Sequence, residues 1–495
     1  MARDAAGRHP SVNSTMRARA GYAASLLILV ALLAMLGWSA QTRAFDPDEF
    51  QHVQMAWLIA IGQLPHRDFF EHHTPLYHMA IAPFLSDPRL TTSGDSAIGA
   101  LVGLRWIGIG LCAVILTLTE VIGRHIGDRL AARCGTVILA CMAIFALKGL
   151  EIRPDHLAAC LLLGATIALL RAGAARNPLW LLALSGALAM LGILTTQKLV
   201  FAVPGLAVTF MAVCWRRDGG FGKLLPNALA VVAGATLAAV PMLVWFASHG
   251  ALGLFVTDNF LLGASWPREM RPLVLTLSAM LRDETLLVLL FGLGIIALFA
   301  RGWRAAMWPL AVIAPMISMV VLMPLFPVVQ PQYLFLWLPY AAILGGIGAA
   351  FAIDRIGSTP ALRTATASLV IGAVALHGGL TIKTQSTAYE NEAFDKLSYV
   401  VEQTPPDAKV MRAWSAGTAF RQPAFFYFSL HPEIRGVVPE RDWLALEAGL
   451  RSGSIAPELV EMDDAMRAMP PGVVQALEDG WAPTGTGNLW RRKPR

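Results

Sequence analysis

Between Phe45 and His78 the chain reads FDPDEFQHVQMAWLIAIGQLPHRDFFEHHTPLYH, crowding acids, histidines and an arginine into a sequence that is otherwise strongly apolar. These residue types offer three kinds of chemistry. A carboxylate can take a proton from a hydroxyl, arginine and histidine can hold a phosphate, and histidines with acids can bind a metal. The spacing HxxxxxHH from His66 to His73 matches no zinc pattern, so no metal and no other cofactor is expected.

The acids at the start of this stretch divide by role. Asp46 has the position of a helix N-cap, Pro47 that of a first helical residue, and Glu49 stands three residues after the cap, as in a capping box. Asp48 is not needed for that cap. An acid there gains only about 0.3–1 kcal/mol from the helix N-terminus. Phe50, Val53, Trp57, Leu58 and Ile61 then recur at helical spacing, with Gln51, His52 and Gln54 at other positions, which predicts an amphipathic helix at the membrane interface. Asp48 and His52, four apart, share one face. GQLP ends this helix and Thr74-Pro75 opens a second short one, leaving His66, Arg67, Asp68, Glu71, His72 and His73 between them.

The elements that must position these groups are membrane helices. The 495 residues are 56% hydrophobic and 15% charged, with a mean hydropathy of +0.57, well above that of soluble domains. A formal charge of +6 comes from short basic clusters between apolar runs, so membrane topology accounts for it and nucleic acid does not. The basic N-terminus leads into an apolar run, 21–40, read as a signal anchor rather than a cleaved signal peptide. Ten more runs, near 97–122, 134–148, 156–170, 178–196, 199–215, 226–248, 284–300, 305–324, 332–353 and 364–383, give about eleven spans. The 134–148 and 156–170 runs are short for a full crossing.

Basic residues concentrate in alternate loops, which puts the N-terminus in the cytoplasm and the acidic loop 41–96 on the outer face. The fold class expected is an all-α polytopic membrane domain over 1–383, with interfacial helices in its first outer loop, and a small soluble α+β domain over 384–495, also outside. Five cysteines, Cys112, Cys134, Cys141, Cys160 and Cys214, lie in or beside apolar runs and suggest neither disulfides nor a metal site.

The DE pair opening an interfacial helix after the first span, followed by GQLPHRDFFEHHTPL, resembles the first outer loop of the GT-C superfamily of polyprenyl-phosphate-dependent glycosyltransferases. The branch it resembles contains the aminoarabinose-to-lipid A transferases and the protein O-mannosyltransferases. The resemblance implies that Asp48 is the catalytic carboxylate, with Glu49 as the second candidate. His72-His73-Thr74-Pro75-Leu76 is similar to the family's later proline element, although Thr74 stands where a first proline is usual. EIRPDHLA (151–158) resembles the second acidic site and carries Arg153 and Asp155, TTQKLVFAVPG (195–205) supplies Lys198, and QPQYLFLWLPYAAIL (330–344) supplies Tyr333.

With His52, Arg67, Asp68, His72, His73 and Arg268 of the later outer loop DNFLLGASWPREMRP, these form the expected substrate-binding set. Each later residue also has a plainer reading. Arg153 and Asp155 suit a pair at a helix start, Lys198 suits a side chain reaching the interface, Arg268 a lipid headgroup contact, and Tyr333 an aromatic belt.

The resemblance implies transfer of a pentosyl or hexosyl unit from a polyprenyl-phosphate donor to a lipid, glycan or protein acceptor. It also implies inversion at the anomeric carbon and a site on the periplasmic face of a bacterial inner membrane. The alternative is a polytopic lipid or sugar transporter, which would carry charges at mid-membrane depth.

Overall fold

The computed structural model describes residues 12–262, 270–326, 329–385, 392–430 and 432–494. Every apolar run read from the sequence lies in helix. The first elements are α1 (Val12–Thr42), α2 (Pro47–Ala60), α3 (Leu76–Ile81), α4 (Gly94–Ile126), α5 (Arg129–Cys141), α6 (Ala143–Gly149), α7 (Asp155–Ala172), α8 (Leu179–Thr195), α9 (Val203–Asp218) and α10 (Leu224–Ser248). Among the described residues six helices are long and apolar enough to cross a membrane, and up to nine if each of three bent helix pairs counts as one span.

The short run at 134–148 is one of those bent pairs: α5 and α6 meet at 61° around Met142. A second bend of 71° joins Trp303–Val312 to Ala314–Leu325. Close approach of α8 and α10 depends on two glycines. A Cβ at Gly186 would lie 1.9 Å from the Val231 carbonyl, and one at Gly234 would lie 1.8 Å from that of Ala183. Small residues of this kind let membrane helices pack backbone to backbone.

Residues after 392 form an α+β layer around a five-stranded sheet of order β2-β1-β3-β5-β4. Its strands are β1 (Lys409–Met411), β2 (Gln422–Pro423), β3 (Leu459–Glu461), β4 (Trp481–Pro483) and β5 (Leu489–Arg492), parallel across β2-β1-β3 and antiparallel across β3-β5-β4. The layer shares an apolar core with the segment between α1 and α4, where Phe45, Phe50 and Trp57 join Leu397, Phe420 and Phe428.

This packing changes the expected character of α2. Glu49 through Leu58 are all buried, so its polar positions do not face water. They are paired inside instead, as burial requires. Gln51 donates to both oxygens of Glu71 at 3.2 Å, while Gln54 donates to the Arg421 carbonyl at 2.7 Å and accepts the Phe420 amide at 2.9 Å.

Candidate active site

The start of α2 is built as the capping pattern requires. Asp46 adopts extended backbone, its carboxylate accepts the amide of Asp48 at 3.0 Å, and Glu49 returns to accept the amide of Asp46 at 2.9 Å. Glu49 does more than cap. Arg105, from the middle of α4, grips it with Nε at 2.8 Å and Nη2 at 2.6 Å, and the Ile152 amide adds a fourth donor at 3.1 Å. Both side chains are fully buried. With four donors on two oxygens, Glu49 has no lone pair left for a substrate.

Arg105 also donates to the carbonyls of Ala40, Arg43 and Ala44, satisfying the end of α1, and stacks 3.4 Å over Phe45. This buried pair therefore fixes where α1 stops and α2 begins. Asp48 sits one residue before it, with its side chain about one-fifth exposed.

Asp48 belongs to a compact charge cluster. Its Oδ2 lies 2.8 Å from Arg153 Nη1, and its Oδ1 accepts the indole N–H of Trp414 at 2.9 Å. Arg153 also bonds Glu151 and reaches Asp46 at 3.4 Å. Lys148 lies 3.0 Å from Glu151 and 3.5 Å from Asp46, and Arg43 is 3.0 Å from Glu151. Burial acts to raise the Glu151 carboxyl, but Arg153, Lys148 and Arg43 overcome it and hold the group down at about 2. Asp46 goes the other way, raised by its burial and by Asp48 and Glu151, against the pull of Arg153 and Lys148.

The cluster continues through the segment before α9. Lys198 Nζ is 3.4 Å from Asp155 Oδ1 and 4.0 Å from the centre of the Tyr333 ring. Gln197 donates to the His72 carbonyl at 2.7 Å, and Thr74 donates to that of Ile193 at 3.0 Å, which pins the HHTPL segment to the end of α8. Asp48, Arg153, Asp155, Lys198 and Tyr333, distant in sequence, thus form one connected group with the HHTPL segment.

A histidine group lies beside it. His52 Nδ1 is 2.9 Å from His78 Nε2, and the His52 and His73 rings meet edge to face at 5.0 Å. His73 Nδ1 lies 2.6 Å from Glu71, which is fully buried and also accepts the amides of His72 and His73. Burial lowers His78 to about 3, with Glu71 opposing, and burial followed by His73 and His78 holds His52 well below its ordinary value. Glu71, His72 and His73 bring one carboxylate oxygen and two ring nitrogens within 4.8 Å of one another, a donor set that fits a divalent cation and was not read from the spacing.

Two expected residues, Arg67 and Asp68, lie apart from this cluster. Arg67 pairs with adjacent Asp68 at 2.8 Å on the exposed edge of the loop, where Asp68 also caps the Leu64 amide at 2.8 Å. Arg268 lies outside the described residues. His66, in the left-handed backbone region at φ 69°, packs against the stacked Phe246 and Phe255 rings and ties the loop to Asp258 and Asn259.

Lys148, Glu151, His78 and Trp414 were not singled out by sequence reasoning, and Glu71 was noted only as one of the polar residues between the two short helices. The EIRPD segment held the signal for Glu151. Next to α3, an apolar cavity of about 920 Å³ opens between α8 and α10, lined by Leu76, Met79, Leu191, Leu194, Pro241 and Trp245 among others.

Helices long and apolar enough to cross a membrane, an acidic segment 41–96 folded back on them and a C-terminal α+β layer make up a fold shared with solved membrane-protein structures. The chain superposes on ArnT from Cupriavidus metallidurans with a TM-score of 0.61 in its apo state, at 14% identity, covering 96% of this chain and 97% of that one. Against the same protein bound to undecaprenyl phosphate the TM-score is 0.60, at 12% identity, covering 94% and 96%. The oligosaccharyltransferase AglB from Archaeoglobus fulgidus, solved with an inhibitory peptide and a dolichol-phosphate, matches with a TM-score of 0.55 at 12% identity, covering 95% of this chain and 74% of that one. At these identities the likeness is one of fold. No family model and no curated sequence matches the chain.

Proposed function

We propose that this protein is an integral membrane glycosyltransferase that moves a sugar from a polyprenyl-phosphate donor to an acceptor hydroxyl at the outer face of a bacterial inner membrane. The observation that carries the reading is the Asp48–Arg153 pair set in one cluster with Lys198 and the HHTPL segment. The fold is that of proteins solved with undecaprenyl phosphate and dolichol-phosphate. The apolar cavity beside α3 suits a prenyl chain whose phosphate end lies toward Lys198.

In this mechanism the acceptor oxygen attacks the anomeric carbon, its proton passes to Asp48, and the bond to phosphate breaks with the electron pair leaving on the phosphate. A lipid phosphate is already a stable anion, so no acid need protonate it. The demanding step is activation of the acceptor. Arg153 holds Oδ2 of Asp48 at 2.8 Å, and Arg153 and Lys198 meet the charge that develops on the phosphate oxygens. Direct displacement inverts the anomeric configuration. Glu49, saturated by Arg105 and two amides, holds the start of α2 in place.

The test is Asp48→Asn in membranes supplied with undecaprenyl-phosphate pentoses, hexoses and amino sugars, with cell-envelope extract as acceptor. Free undecaprenyl phosphate is the readout. The wild type releases it in an acceptor-dependent way and the variant, at equal expression, does not. Undiminished release by the variant rejects the assignment of Asp48, and transport of intact donor without release favours a transporter.

A further inference from the structure

One group in the Asp48 cluster comes from the far end of the chain. Trp414 follows β1, and its indole Nε1–H donates to Asp48 Oδ1 while Arg153 holds Oδ2, so the carboxylate is gripped from the segment between α6 and α7 and from the C-terminal layer. The loop carrying Trp414 is itself fixed against α2. Gln54 bonds the backbone of Phe420 and Arg421 at 2.9 and 2.7 Å, and the buried Arg412 donates to the Thr418 carbonyl at 2.7 Å and to that of Phe50 at 3.5 Å. Behind it, Asp463 accepts the backbone N–H of Trp414. The indole nonetheless stays 37% exposed.

We infer that Trp414 is a positioning residue for Asp48, supplied by the C-terminal layer; the inference rests on the glycosyl-transfer reading of the site. A carboxylate acting as base must keep one lone pair aimed at the acceptor hydroxyl, and two donors on opposite oxygens fix its rotation. The choice of donor matters. A hydrogen bond from a cation is stronger than one from a neutral donor and costs a carboxylate more basicity, so a neutral indole N–H on Oδ1 orients the group at the smaller cost. The C-terminal layer therefore completes the reactive geometry rather than only covering it.

The experiment uses the full-length protein in detergent or membranes, with the undecaprenyl-phosphate sugar that the wild type accepts and cell-envelope extract as acceptor. Trp414→Phe keeps the ring and removes the donor, and Trp414→His returns an N–H on a smaller ring. The expected result is a kcat about tenfold lower for Trp414→Phe with the donor KM unchanged, and partial recovery of kcat in Trp414→His. Unchanged kcat in both variants, or a change confined to donor KM, overturns the inference. If Trp414→Phe lowers the unfolding temperature, the decision passes to Trp414→His, which must exceed the activity of the phenylalanine variant per folded molecule. A wild type that transfers, with Asp48→Asn inactive and Trp414→Phe unaffected, sinks the role of Trp414 alone. A wild type that releases no lipid phosphate from any donor sinks the transferase reading and this inference with it.

Discussion

Arg153 Nη1 stands 2.8 Å from Oδ2 of Asp48, joining the first turn of α2 to the short segment between α6 and α7. The same guanidinium bonds Glu151 and reaches Asp46, and its side chain is 4% exposed. Removing it leaves three neighbouring carboxylates without their shared cation. Breaking a buried ion pair of this kind typically costs about 3–5 kcal/mol. Arg153→Met should therefore lower both the unfolding temperature and the yield of folded protein. Arg153→Lys keeps the charge but not the planar fork, so it should unfold at a higher temperature than Arg153→Met while losing on the order of a hundredfold in kcat/KM. Thermal melts and donor turnover measured on the same preparations separate the two effects.

Lys198 is held between Asp155 and the face of Tyr333, an arrangement that points one ammonium group without locking it in a fork. In the proposed reaction it meets the donor phosphate in the ground state as well as in the transition state. Lys198→Met should therefore raise donor KM, by roughly 10–100-fold, more than it lowers kcat. Lys198→Arg should recover part of the loss. A variant whose kcat falls while KM stays fixed would instead place Lys198 at the step of bond breaking.

The Glu49–Arg105 pair separates structure from chemistry within one dipeptide. Glu49→Gln weakens two charge-assisted bonds and leaves Arg105 buried with a diminished partner, so a loss of about 3 kcal/mol or more is expected. Activity per folded molecule should remain within a few-fold of wild type, because no oxygen of Glu49 is free to reach a substrate. Asp48→Asn should behave in the opposite way, losing turnover with the smaller loss of stability, since Arg153 keeps Glu151 and Asp46. The two variants compared in thermal melts and in turnover test that division directly.

The parts of the site that were legible in the sequence are those set by local rules or carried by short motifs. Asp46, Pro47 and Glu49 announce a helix start because a cap is a matter of three neighbouring residues. Arg153, Asp155, Lys198 and Tyr333 came forward through resemblance, since nothing in their own spacing shows that they meet. Arg105 was hidden within a long apolar run, and its pairing with Glu49 depends on how α4 crosses α1. The burial of α2 on every side was illegible for a related reason. Hydrophobic periodicity reports one apolar face, while Gln51 and Gln54 are satisfied from the other side by groups that only tertiary packing brings near. Trp414 carries no local signal at all, because its partner lies 366 residues away.

The His52–His78 contact predicts how the fold responds to acid. His78 is fully buried, its Nε2 faces His52 at 2.9 Å and its Nδ1 has no hydrogen-bond acceptor to receive a second proton. Burial lowers its folded pKa to about 3, against the ordinary histidine value near 6.5 in the unfolded chain. Above about pH 6.5 the group is neutral in both states and contributes no slope. As pH falls below that value the unfolded chain takes up a proton that the folded one refuses, so stability declines until the folded pKa is reached. One such group contributes up to about 1.4 kcal/mol per pH unit over that window, and His52, also held below its ordinary value, acts in the same direction. Wild-type melts taken from pH 7.5 to 4 should show this decline beginning near pH 6.5. His78→Gln, which cannot titrate, should show a shallower fall over the same range whatever its stability at pH 7.5. Parallel curves for the two proteins would mean that the histidine pair does not set the acid response.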